Sequence, residues 1–365
     1  MFMSWEEKVR KVEPYVAGEQ PKDPNIIKLN TNENPYPPSP KVFEAMDALK
    51  AQTEKLRLYP DMDASALVNE LAKGYHVDPE QVFVGVGSDD VLSLCFLTFF
   101  SNGKPILFPD ITYSFYDVWA ELYRISYEMK PLSEEFTIRS EDYTGRNGEI
   151  GGIIFPNPNA PTAVEMPQEE IEQIIKENPD CVVIVDEAYV DFGAKSTLPL
   201  LEKYDNLLVV QTFSKSRTMA GLRIGFAIGN RKLIRYLKDV KFSFNSYTMN
   251  LPSIMLGTAQ AEDWEYFSGT CEKIIATRER FCAALSEMGF VFPPSKANFV
   301  FVKHPAISGD ELFAKLRARG IVVRHWNKPR IREYLRITIG TDAQMDEVIR
   351  ALREIISESP APAAL

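Results

Sequence analysis

The chain is short of the residues that build metal sites and cross-links. Its three histidines, His76, His304 and His325, lie far apart with no HExxH-like spacing, so catalysis by a clustered metal is not expected. The four cysteines, Cys95, Cys181, Cys271 and Cys282, form no CxxC pair, and a chain of 365 residues is too long to need staples. They read as reduced thiols of a cytosolic protein. No apolar run reaches the roughly 18 residues that cross a bilayer; the longest, residues 91–100, reads as a buried helix. The first ten residues are polar and charged, without the pattern of a signal peptide, so a cytoplasmic protein with no membrane partner is expected. Basic clusters are missing as well. A net charge of -10 with scattered Lys and Arg argues against nucleic acid as a partner. No GxGxxG opens an early βαβ unit, which argues against a dinucleotide-dependent oxidoreductase. There is no internal repeat.

What is present describes an α/β protein. Apolar strand-like runs at 82–86, 105–108, 152–155, 181–185, 207–211 and 223–228 alternate with amphipathic stretches such as 168–177, the pattern of a mainly parallel sheet covered by helices on both faces. From 251 the texture changes. A long helix toward Gly289 is followed by strands at 297–302, 321–324 and 334–338 around a helix at 309–319, a smaller α+β unit. The length suits two or three domains, and the divisions expected are an extended arm (1–40), a large domain (41–255), a small domain (256–356) and a disordered tail (357–365). The arm carries Pro14, Pro21, Pro24, Pro35, Pro37, Pro38 and Pro40, so it should run extended over another surface, a second subunit being one candidate.

Three stretches read together as one chemical device: Val185-Asp186-Glu187-Ala188-Tyr189, Thr212-Phe213-Ser214-Lys215 and Gly221-Leu222-Arg223. An acid ending a buried strand, a lysine beside a hydroxyl and an arginine shortly after match the needs of a pyridoxal 5'-phosphate (PLP) site. Lys215 would hold the cofactor as a Schiff base and act as a free amine for part of the cycle. Asp186, set against the pyridine nitrogen, would keep it protonated and the ring an electron sink. A surface Lys215 and a solvated Asp186-Glu187 strand end are the plain alternatives; the position of Asp186 at the carboxyl end of a strand, where open α/β sheets place ligands, favours a site. The turn Gly85-Val86-Gly87-Ser88-Asp89-Asp90 precedes an apolar helix and can present N–H groups to a phosphate. Ser214 and Arg223 would complete that grip.

These motifs, together with Asn32-Glu33-Asn34-Pro35-Tyr36, Arg57-Leu58-Tyr59-Pro60-Asp61 and Gly221-Leu222-Arg223-Ile224-Gly225, resemble the fold-type I PLP-dependent aminotransferases, and among them the histidinol-phosphate aminotransferases, over essentially the whole chain and in order. The resemblance implies a large domain with a mainly parallel seven-stranded sheet and a smaller α+β domain. It implies that Asp186 pairs with the pyridine nitrogen, that Tyr189 bonds the ring's phenolic oxygen and that Tyr113 stacks on the ring. Ser88, Asp89, Ser214 and Arg223 would hold the cofactor phosphate. Tyr59 would reach the cofactor phosphate of a neighbouring subunit, making a homodimer with shared active sites. Asn32, Tyr15, Arg324 and Arg336 would face the substrate, Arg336 taking the carboxylate of an amino-acid substrate, Arg324 joining it on histidinol phosphate, and Tyr15 adding a hydroxyl to that phosphate.

The implied substrates are small molecules: histidinol phosphate, 2-oxoglutarate and glutamate, exchanged by a ping-pong mechanism in histidine biosynthesis. An aromatic amino-acid aminotransferase and a PLP-dependent decarboxylase of a phosphorylated amino acid are alternatives, as is a noncatalytic ligand-binding module. One departure stands out. Where the family commonly has Asn-Pro-Asn-Asn-Pro-Thr-Gly, this chain has Asn157-Pro158-Asn159-Ala160-Pro161-Thr162-Ala163, and Ala160 replaces the asparagine that usually bonds the ring oxygen. Asn157, Asn159, a water, or Tyr189 alone would take its place.

Overall fold

The computed structural model describes residues 4–16 and 18–358. Its strands, in chain order, are β1 (Ile27–Lys28), β2 (Val82–Gly85), β3 (Ile106–Pro109), β4 (Tyr127–Lys130), β5 (Gly152–Pro156), β6 (Val183–Asp186), β7 (Leu207–Thr212), β8 (Gly225–Gly229), β9 (Phe299–Val302), β10 (Ile321–Val322), β11 (Arg324–His325) and β12 (Leu335–Thr338). Seven of them form one sheet in the order β2-β8-β7-β6-β5-β3-β4. Only β8 opposes the others, pairing antiparallel with β2 and β7, while β7-β6-β5-β3-β4 pair in parallel.

The central strands are buried at every position and mostly apolar, because both faces are covered. Side chains alternate along a strand. Ile154, Ile184, Leu208 and Val210 therefore pack on one face with Val91, Leu92, Trp119 and Leu237 from the helices Ser88–Cys95, Tyr116–Tyr123 and Arg231–Phe244. Ile153, Val183, Val185 and Val209 pack on the other with Ile171, Ile174 and Ile175 of the helix Gln168–Glu177. The second unit is the antiparallel sheet β11-β12-β9, with helices Trp264–Glu287, Gly309–Ala318 and Asp342–Glu358 in one apolar cluster. The arm is stitched to that unit by β1, which pairs in parallel with β10.

Several boundaries differ from the sequence reading. The long helix expected from 251 is two helices, Leu251–Ala261 and Trp264–Glu287; the chain breaks at Asp263, whose carboxylate accepts from Tyr266 N at 3.2 Å and caps the second one. The run 223–228 enters the sheet only at Gly225, since Arg223 is left-handed with φ 52°. The strand expected at 321–324 divides into β10 and β11. The arm contains one helical turn, Trp5–Lys8. Ser357 and Glu358, assigned to a disordered tail, continue the last helix, and the remainder of that tail lies outside the described residues.

One close approach fixes the start of β8 to the turn beside it. A Cβ on Gly225 would lie 2.3 Å from both the carbonyl carbon of Gly87 and the nitrogen of Ser88. Gly225→Ala is expected to lower stability by about 1–3 kcal/mol in urea unfolding and to weaken cofactor binding at the same time, because the atoms displaced belong to the Gly87-Ser88 turn.

Candidate active site

The carboxyl ends of β2, β5, β6 and β7 converge, and there the structure opens an inner cavity of about 170 Å³ lined by Ser88, Asp89, Tyr113, Ala160, Asp186, Tyr189, Thr212, Ser214, Lys215 and Arg223 among others. An outer cavity of about 680 Å³ shares Asp89, Tyr113, Ala160, Tyr189, Lys215 and Arg223 with it and adds Tyr15, Asn32, Arg324, Trp326 and Arg336. Residues spread over most of the chain thus meet at one place.

Asp186 is 5% exposed and has no cationic partner. Its carboxylate accepts from the Tyr116 hydroxyl at 2.9 Å and from Ala188 N at 3.2 Å. Burial dominates these bonds and pushes its pKa up to about 6. Burial and the Asp186 charge hold the Tyr116 phenol well above its ordinary value, so it stays a donor. Across the cavity, Lys215 Nζ donates to the Thr31 carbonyl at 3.0 Å and lies 5.8 Å from the centre of the Tyr189 ring. The Tyr189 hydroxyl accepts from Asn32 Nδ2 at 2.9 Å.

The Gly87-Ser88 turn is equally well defined. Gly87 has φ 84°, a conformation suited to glycine, and a Cβ there would sit 2.5 Å from Arg223 Nη2. Ser88 opens the helix Ser88–Cys95, so unpaired N–H groups point from its first turn. Arg223 donates to the Asp89 carboxylate at 3.0 Å and to Ser214 Oγ at 3.3 Å. The Tyr113 hydroxyl donates to the other Asp89 oxygen at 2.6 Å.

Behind this face lies a second polar layer. Glu187, one residue past Asp186, points the opposite way and accepts from Thr197 N, Thr197 Oγ1, Ser196 Oγ and Gln211 Nε2 at 2.6 to 2.9 Å. Gln211 is bonded by the Tyr75 hydroxyl, which in turn accepts from Arg217 Nη2 at 2.9 Å. Arg217 is 1% exposed, its guanidinium lying 4.0 Å from the Phe267 ring centre and 4.8 Å from that of Trp264.

The substrate-facing candidates line the outer cavity. Tyr15 stacks on Phe115 at 4.1 Å, and Arg324 and Arg336 are cross-strand partners on β11 and β12. Arg336 donates to the Asn30 carbonyl at 2.8 Å, leaves its buried Nε without a partner, and has its pKa pulled down by burial. Three candidates stand apart. Tyr59 is 82% exposed and stacks on Tyr247 at 4.7 Å, away from both cavities. Asn157 spends its amide on the Met166 backbone, and Asn159 on Thr112, Ile111 and Thr162, so neither lines a cavity, whereas Ala160 lines both. Tyr116, the Thr31 carbonyl and Trp326 escaped the sequence reading. Tyr116 follows Tyr113 by three residues, a helical spacing that could have flagged it; a main-chain carbonyl leaves no such trace.

A buried carboxylate without a cation, an amine facing it, and a glycine cradle closed by an arginine fit PLP: Asp186 toward the ring nitrogen, Lys215 toward the aldehyde carbon, and Ser88, Ser214 and Arg223 toward the phosphate. The model of the aminotransferase class I and II family matches residues 24–352. The chain belongs to that family. It is a PLP-dependent aminotransferase with the fold-type I architecture. The chain is 52% identical over 353 residues to a histidinol-phosphate aminotransferase of Acinetobacter baumannii (strain SDF), covering 96% of this chain and 97% of that protein. It is 50% identical to one from Lactococcus lactis subsp. lactis (strain IL1403), covering 98% of each. A histidinol-phosphate aminotransferase of Sinorhizobium meliloti, solved with pyridoxal-5'-phosphate, superposes with TM-score 0.82 at 23% identity and 91% coverage of both chains.

The raised pKa of Asp186 has a measurable sign. In the cofactor-free protein the folded state holds this proton more tightly than the unfolded chain does, so stability is lost as pH rises from about 4 through about 6. Asp186→Asn removes that penalty. At pH 8 the cofactor-free variant is expected to exceed the wild type in urea unfolding by on the order of 2–3 kcal/mol, an advantage that vanishes near pH 4. The loaded variant is expected to lose at least about 10²-fold in activity. Equal stabilities of the cofactor-free proteins at pH 8 would contradict the burial argument.

Proposed function

We propose that the chain is a histidinol-phosphate aminotransferase that moves an amino group between L-histidinol phosphate and the 2-oxoglutarate/glutamate pair by a ping-pong cycle in histidine biosynthesis. The observation that carries this reading is the pair of guanidiniums, Arg324 and Arg336, side by side on the wall of the outer cavity, with Tyr15 beside them and no acidic partner among the described residues. A plain amino-acid aminotransferase needs only one such arginine. An anion-tailed amine uses both.

PLP, when bound, supplies an electron-withdrawing ring that lowers the cost of taking a proton from the amine-bearing carbon. The residues of the chain do the rest. Arg336, and Arg324 beyond it, hold the anionic groups and so orient that carbon toward Lys215. Lys215 carries the proton as a free amine, and the Thr31 carbonyl lies 3.0 Å from its Nζ, within reach to steady it. Asp186, kept from water with Tyr116 donating to it, holds a negative charge against the ring nitrogen. Tyr189, fixed by Asn32, presents a hydroxyl to the ring oxygen, the role left open by Ala160.

A cytoplasmic homodimer with shared active sites belongs to the same reading. Its support is a set of exposed apolar side chains, Phe43, Leu56, Leu58 and Phe244, together with the exposed Tyr59–Tyr247 stack, which a second subunit would cover. Among the described residues no helix is long and apolar enough to cross a membrane.

Two measurements test this reading. With histidinol phosphate and 2-oxoglutarate the enzyme is expected to form glutamate, and Arg324→Ala is expected to raise KM for histidinol phosphate by about 10²-fold while changing that for phenylalanine far less. No glutamate from this pair, with carbon dioxide released instead from a phosphorylated α-amino acid, would indicate a decarboxylase. For the shared site, Lys215→Ala is expected to be inactive and Tyr59→Phe to bind PLP weakly. Mixing the two variants is expected to restore one site of wild-type cofactor affinity per hybrid dimer; no recovery would place Tyr59 outside the neighbouring site.

A further inference from the structure

Arg324 and Arg336 are paired residues on adjacent antiparallel strands, a register that brings their side chains together. Like charges in that position repel, and no carboxylate among the described residues separates them. What lies against both is an indole. Trp326, two residues beyond Arg324, has its ring centre 5.5 Å from the Arg324 guanidinium carbon and 5.3 Å from that of Arg336. The Arg336 guanidinium carbon also lies 5.2 Å from the centre of the Phe299 ring. The loop carrying Trp326 is tied to the large unit by Arg330, which donates to the carbonyls of Leu132 and Ser133 at 2.9 and 2.6 Å and to Asp110 at 3.3 Å.

We infer that Trp326 is the positioning residue that sets the spacing of the two anion-binding guanidiniums, and with it the preference for substrates carrying a distal anion. The electron-rich face of the indole attracts both cations and offsets their mutual repulsion. Both remain available at a fixed separation, one for each end of a dicarboxylate or for the tail of a phosphorylated amine. With a smaller side chain at 326, the guanidiniums would lose that common surface and move apart or into solvent. The inference rests on the substrate reading above.

The test uses the PLP-loaded enzyme, whose inner phosphate cradle is filled, titrated calorimetrically with inorganic phosphate and with glutarate. Trp326→Leu is expected to weaken both anions by about tenfold, to raise KM for 2-oxoglutarate and histidinol phosphate in parallel, and to leave kcat within about twofold. Trp326→Phe, which keeps a smaller π face, is expected to lose only about two- to threefold, and decides the matter if the leucine variant does not fold. Wild-type affinities in both variants, equal losses in both, or a fall in kcat with KM unchanged would each overturn the role of Trp326. A wild-type enzyme that binds neither anion would overturn the substrate reading itself.

Discussion

A carboxylate withdrawn from water at the end of β6 conditions much of this molecule. Asp186 keeps only two hydrogen bonds and no cation, so its charged form is costly until a positive partner arrives. The protein can place it there because the parallel strands on either side are apolar and covered on both faces. The same burial that makes the carboxylate a poor anion by itself makes it a strong partner for a pyridinium, since an interaction between charges strengthens as water is excluded. In the proposed site, cofactor affinity and the electron demand of the ring would both draw on this one desolvated group.

The strand period extends this logic to the neighbouring residues. Asp186 faces the cavity and Glu187 faces away, into the polar chain of Gln211, Tyr75 and Arg217. Lys215 likewise faces the cavity, while Ser216 bonds the half-buried Asp191 and Arg217 sits among aromatic rings. Chemistry occupies one side of the two strand ends, and a polar network backs the other, with Arg217 Nη1 left to the surrounding aromatic rings. Linked buried polar groups of this kind hold geometry, and here they register the loop carrying Lys215 against the strand carrying Asp186.

Much of the fold was legible because its signals are local. Continuous apolar runs marked the buried strands, and the change of texture after residue 250 marked the smaller unit. The boundaries were less so, since the break at Asp263 and the left-handed Arg223 depend on a single cap and a single backbone angle. In the site, Lys215, Asp186, Arg223 and the Gly87-Ser88-Asp89 turn were visible as side-chain types at telling spacings. Asn157 and Asn159 were visible too, yet their amides serve the loop backbone. Tyr116 was hidden by a helix that could have been ordinary core, and the Thr31 carbonyl by having no side-chain signature.

The sequence by itself determined the class of chemistry: an amine, a buried acid and a phosphate turn, each set by residue type and by its place at a strand end or helix start. Tertiary structure decided what those groups face. Only the antiparallel register of β11 and β12 brings Arg324 beside Arg336 and lays Trp326 against both. Only the return of the arm through β1 delivers the Thr31 carbonyl to Lys215 and Asn32 to Tyr189. The physical reason is range. Backbone propensity and hydrophobic period act over a few neighbouring residues, whereas the distance between two charges is fixed by strand pairing between segments far apart in the chain.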